Sequence, residues 1–104
     1  MAVVVRYNPT ELNRASYDRV NEILAEETGL SDAELPAGLL VHVLFGEEGS
    51  LKVSEIWETE EQFQAFRPKL VSTLEKAGAP VDPAGPDVFE VHNLVERAAL
   101  GGLA

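Results

Sequence analysis

The spacing of apolar residues divides the chain into strand-like and helix-like segments in alternation. Ala2 to Tyr7 is a short β-branched run ending at Asn8-Pro9, where proline lacks an amide donor and disfavours helix in the residue before it. Asn13 is placed to cap a helix, with Leu12 and Tyr17 as a hydrophobic staple, and Tyr17, Val20 and Leu24 then recur at helical spacing up to Gly29. Leu30 to Gly38 holds Ser, Asp, Pro and Gly without a sustained period and reads as a loop. Leu39 to Phe45 reads as a second strand. The glycine-bearing stretch from Gly46 to Ser50 reads as a hairpin connection into a third strand, Leu51 to Trp57.

Thr59 followed three residues later by Gln62 forms a capping-box signature. Phe63, Phe66, Leu70, Leu74 and Ala77 continue at helical spacing until Gly78, and Pro68 inside this stretch predicts a kink or two short helices meeting near Arg67. After a loop from Ala79 to Pro86, Asp87 to Val95 mixes Val, Phe and Leu with polar residues as a fourth strand. The order β-α-β-β-α-β predicts an α+β, ferredoxin-like domain over residues 1–95, with an antiparallel sheet of strand order 4-1-3-2 and both helices on one face. Residues 96–104 form a C-terminal tail with little apolar surface, expected to fray.

Alternation in the second strand sends Leu39, Val41, Val43 and Phe45 to one side and Leu40, His42 and Leu44 to the other. Both sides are thus largely apolar, and two helices cover only one. A second copy of the same sheet supplies the missing cover by twofold symmetry, so the chain is expected to form a homodimer whose facing sheets make an α+β barrel.

Charge and composition narrow the partners. Eight basic against 18 acidic side chains give a formal net charge of -10, which repels nucleic-acid backbones and anionic lipid, so neither is expected as a partner. Cysteine is absent, which removes disulfides, thiolate nucleophiles and zinc–thiolate sites. With no basic leader and no long apolar stretch, the expected location is the cytoplasm. Phosphate-binding glycine loops, nucleotide fingerprints and a serine–histidine–acid order are all missing.

The segment Val53-Ser54-Glu55-Ile56-Trp57-Glu58-Thr59-Glu60-Glu61-Gln62-Phe63, in which a strand ends in tryptophan and an acidic capped helix begins, resembles the dimeric α+β barrel superfamily. Within it the likeness is to the antibiotic-biosynthesis-monooxygenase-like proteins. The resemblance extends from the first strand to about Val95 and rests on order and spacing. It implies the barrel fold and a range of activities that includes cofactor-independent oxygenation of aromatic substrates and haem degradation. In the haem-degrading branch a strand-end tryptophan and an asparagine act with a histidine ligand on the second helix. Trp57 matches that tryptophan and Asn8 loosely matches that asparagine, but the second helix has no histidine, with Arg67 roughly at that place. Neither haem nor any other cofactor or metal is therefore expected.

If Trp57 points into the space between two facing sheets, Val53 and Glu55 point the same way, and a turn centred on Glu48-Gly49 sets Glu55 opposite His42. A histidine beside a carboxylate is a plausible general base, because imidazole ordinarily titrates near neutrality and the acid fixes its tautomer. His42, Glu55 and Trp57 are accordingly the candidate catalytic residues, with Leu40, Leu44 and Val53 as the apolar wall for a small hydrophobic ligand. The reading set against this, and the one favoured from sequence, is that the same pair is a satisfied structural contact. His92 with His42 and Glu55 would make a two-histidine, one-carboxylate metal set, but the two histidines fall on opposite edge strands, about 14 Å apart at three strand spacings. Two functions stay open. One is a small enzyme, oxygenase-like or an acid–base catalyst, and the other a non-catalytic dimeric module binding a ligand or a protein.

Overall fold

The computed structural model describes residues 1–29, 35–80 and 84–95. Along them run β1 (Val3–Tyr7), α1 (Arg14–Thr28), β2 (Leu39–Phe45), β3 (Lys52–Trp57), α2 (Glu60–Ala77) and β4 (Asp87–Glu90). The four strands form one antiparallel sheet in the order β2-β3-β1-β4, the expected order counted from the other edge.

Local chemistry sets the helix ends. The Asn13 side chain accepts from the Ser16 amide at 2.8 Å and starts α1, and Gly29 ends it in the left-handed region that glycine adopts without strain. Thr59 accepts from the Gln62 amide at 3.2 Å, while the Thr59 hydroxyl donates to the Gln62 side chain at 3.1 Å, so the box closes through side chains. Gly38 has φ +91, and a Cβ there would stand 2.5 Å from the Gln62 side chain. Only glycine lets the start of β2 pass this close to α2.

Two separate short helices do not form at Pro68: α2 runs as one helix from Glu60 to Ala77. Pro68 and Gln64, whose carbonyl loses its usual partner, both lie on the exposed side, where water takes the free acceptor. The fourth strand is also shorter than expected. Val3 pairs with Glu90, and Ala2 accepts one more bond from the Val91 amide at 3.0 Å, so β1 offers no further partner and pairing stops well before Val95. The tail over 96–104 and most of the loop after Gly29 lie outside the described residues.

A β-bulge corrects the faces of β2. Leu39 pairs with Trp57 and Val41 with Ile56, which leaves Leu40 without a partner in the ladder. The extra residue reverses the alternation, so Leu39 lies on the same side as His42 and Leu44. The β3 residues Val53, Glu55 and Trp57 share that side and are all buried. This is the helix-covered face: Trp57 packs on Phe63 and Phe66 of α2, and Tyr17 of α1 stacks on His42. Val3, Val5, Leu39, Trp57 and Phe63 make the core. The expected placement of His42, Glu55 and Trp57 on the helix-free face is therefore wrong. A tryptophan ring has the most apolar area to bury, and the two α2 phenylalanines are the surface that takes it.

Pro68 generates one prediction. Replacing it with alanine restores a donor for the Gln64 carbonyl at an exposed site, offset in part by a freer unfolded chain. Pro68→Ala is expected to raise stability by about 1–2 kcal/mol in urea unfolding; unchanged or lowered stability would mean the proline is needed for the path of α2.

Candidate functional site

Helices and sheet do not close on each other completely. Between them lies a cavity of about 270 Å³, walled mainly by Val20 and Leu24 of α1, Phe66, Leu70 and Leu74 of α2, and Leu39 and Val53 of the sheet. Polar groups enter this apolar space at a few points: Tyr7, Tyr17, His42, Glu55 and Arg67. An apolar enclosure with few convergent polar groups is the usual form of a small-molecule site.

At its centre is a chain of hydrogen bonds. His42 Nδ1 lies 2.7 Å from Glu55 Oε2, and the Trp57 indole N–H donates to Glu55 Oε1 at 3.1 Å. On the other side of the ring, Tyr17 Oη lies 2.6 Å from His42 Nε2. An ionised carboxylate can only accept, so Nδ1–H donates to Glu55, and with the imidazole neutral Nε2 accepts from the tyrosine hydroxyl. Strand pairing sets the first link, since His42 and Glu55 are direct partners across β2 and β3, as the hairpin register predicts. Alternation sets the second, because Glu55 and Trp57 are two residues apart on one strand.

Of the residues expected from the sequence, His42, Glu55 and Val53 line the cavity. Trp57 does not line it. Fully buried, it stands behind Glu55 and holds the carboxylate. Leu40 and Leu44 are not part of the wall either: Leu40 is exposed at the bulge, and Leu44 follows His42 toward the end of the strand beyond the cavity. His92 is exposed beyond β4, away from His42, and no group of three or more His, Asp or Glu side chains gathers among the described residues. These residues do not fit haem. Both ring nitrogens of His42 are engaged, α2 has no histidine, and the space is small for a tetrapyrrole.

Tyr7, Tyr17 and Arg67 are site residues that sequence reasoning passed over. Tyr17 sits on the apolar stripe of α1, where an aromatic ring reads as packing, and only the position of β2 beneath it reveals its hydroxyl contact. The Tyr7 hydroxyl is shielded from solvent and makes no hydrogen bond among the described residues. Its pKa is pushed far above the usual tyrosine range, first by burial and then by the charge and the hydrogen-bonding pull of the Glu55 carboxylate, with Arg67 acting the other way.

Solved structures with this arrangement of elements support a fold assignment. The oxygenase SnoaB from Streptomyces nogalater superposes with a TM-score of 0.58 at 14% identity, covering 92% of this chain and 97% of that one. The chain has the fold of the antibiotic-biosynthesis-monooxygenase-like proteins. A protein from Chloroflexus aurantiacus J-10-fl named as an antibiotic biosynthesis monooxygenase superposes with a TM-score of 0.51 at 15% identity, covering 90% and 95% of the two chains. Rv0793 from Mycobacterium tuberculosis gives 0.51 at 18%, covering 93% and 97%. No family sequence model and no curated protein matches the chain. The monooxygenase-like likeness is thus one of fold.

Two predictions come from this geometry. Nitrogen-15 NMR of the imidazole, at a pH where His42 is neutral, is expected to find the hydrogen on Nδ1 in the wild type; an Nε2–H tautomer would contradict the chain of bonds. For Tyr7 the folded protein resists losing a proton that the unfolded chain gives up near the ordinary tyrosine value of 10.0. Stability from this group is intact below about pH 10 and falls as the pH rises above it toward the higher folded value. Tyr7→Phe is expected to flatten that alkaline loss, and at neutral pH to be as stable as the wild type or about 1 kcal/mol more so, because it removes an unpaired buried hydroxyl. A clear loss of stability at neutral pH in chemical denaturation would show that the hydroxyl is satisfied.

Proposed function

We propose that this chain is an acid–base catalyst of the cofactor-independent oxygenase-like kind, acting on a small aromatic or otherwise hydrophobic molecule in the cavity beneath the helices. The observation that carries the reading is the Tyr17–His42–Glu55 chain, with contacts of 2.6 and 2.7 Å, at the wall of an apolar cavity. A proton taken from the substrate by the Tyr17 oxygen is passed on as the Tyr17 hydroxyl gives its own proton to His42 Nε2. Glu55 stabilises the imidazolium so formed, and the Trp57 N–H keeps the carboxylate in place. The cavity walls exclude water and leave the substrate anion poorly solvated and reactive. Where dioxygen is the oxidant, an activated CH2 becomes a carbonyl, and its two hydrogens leave with one oxygen atom as water. The cofactor-independent oxygenase named among the fold relatives supports this direction.

We also propose that the working unit is a homodimer joined through the helix-free sheet face. Val43, Phe45 and Phe89 are 44%, 37% and 53% exposed there, and Val4, Val41 and Ile56 lie between them on the same side. Water-exposed apolar area on this scale is stabilised by a second sheet. No helix among the described residues is long and apolar enough to cross a membrane.

The probe for the chemistry is 2-indanone, a small aromatic ketone with acidic CH2 groups. Wild-type protein is expected to speed deuterium incorporation from D2O, followed by NMR, and His42→Gln to slow it by about 10²–10⁴-fold while keeping the fold. Equal rates with and without protein, or in both variants, would leave a non-catalytic binding module as the better reading. For assembly, light scattering is expected to give twice the chain mass, and Phe89→Glu to shift it toward the monomer; a wild-type monomer at micromolar concentration would contradict the dimer.

A further inference from the structure

Among the described residues one cation, Arg67, faces the cavity. Arg67 projects from α2 into the same space as Tyr7 and Tyr17, and its guanidinium lies against Gly85, where a Cβ would come within 3.2 Å of one terminal nitrogen. Gly85 has φ +77 and no side chain, so the loop before β4 leaves room for the arginine. Among the described residues Arg67 makes no ion pair and no hydrogen bond. A half-buried guanidinium has lost water, and none of the described residues supplies an anion in its place. The Tyr7 hydroxyl, also unpartnered, lies in electrostatic reach of both Arg67 and Glu55. Glu55 itself is already taken by His42 and Trp57.

We infer that the ligand of this cavity is a small hydrophobic acid, whose carboxylate is held by the Arg67 guanidinium with the Tyr7 hydroxyl as a further donor while its apolar body fills the space toward Leu24 and Leu70. This rests on the cavity reading given above and adds the charge of the ligand to it. Guanidinium presents parallel N–H donors that match a carboxylate in fork geometry, and pairing there satisfies two polar groups left open among the described residues. The overall charge of -10 disfavours anions everywhere else on the molecule, so a preference for an acid over its neutral analogue has to come from a local cation. Cavity size sets the scale. At about 270 Å³ it lies just below the roughly 300 Å³ where drug-sized sites begin, which suits one or two fused rings.

The test is calorimetric titration of the full chain at neutral pH with 2-naphthoate and with 2-naphthamide, which share a ring system and differ in charge. The acid is expected to bind at least tenfold more tightly, Arg67→Gln to remove that preference, and Arg67→Lys to retain part of it. If the amide binds as well as the acid, or the preference survives in Arg67→Gln, the acid inference is overturned while the cavity stands. Absence of binding by either compound would overturn both. Circular dichroism of the variants separates loss of the cation from loss of the fold.

Discussion

A single buried carboxylate organises the interior of this protein. Glu55 is only 8% exposed on the helix-covered face of the sheet, where an uncompensated charge would cost several kcal/mol. It is tolerated because strand pairing brings His42 opposite it and alternation brings the Trp57 N–H beside it. Each partner is fixed in turn. Trp57 is wedged against Phe63 and Phe66, and the His42 ring is held by the Tyr17 hydroxyl and by stacking on the tyrosine ring. Core packing and polar chemistry are therefore one structure, and a change at Glu55 disturbs both.

The same constraint explains why the cavity is where it is. With a polar cluster under the helices, α1 and α2 cannot settle fully on β2, and the remaining space is lined by their apolar stripes. Glu27 near the end of α1 accepts from Lys69 and Lys76 of α2 at 3.2 and 2.8 Å, linking the two helices across this roof. Such exposed pairs add little stability, but they orient helices that share few contacts with the sheet edge.

Much of the fold was legible in the sequence because its signals are local. Asn13, Thr59, Gly29 and Gly78 mark the helix ends by their own backbone chemistry, and the hairpin fixes the pairing of His42 with Glu55. The side of the sheet was not legible, because both sides are apolar and the bulge after Leu39, which reverses the alternation in β2, leaves no mark in composition. The bulge moved only Leu39 and Leu40; His42, Glu55 and Trp57 stay together and lie on the covered face because Trp57 packs on the α2 phenylalanines. Tyr7, Tyr17 and Arg67 were missed for a related reason: each sits on a segment that reads as ordinary packing, and only the tertiary arrangement turns their polar ends toward one space.

Fold likeness at 14–18% identity shows the fold alone, and the site chemistry has to stand on its own residues. The most direct measurement is a crystal structure of the full chain with 2-indanone bound. Electron density for the ring is expected beneath α1 and α2, with an acidic CH2 group facing the Tyr17 hydroxyl. A ring seated instead on the helix-free face, against Val43 and Phe89, would contradict an interior acid–base site.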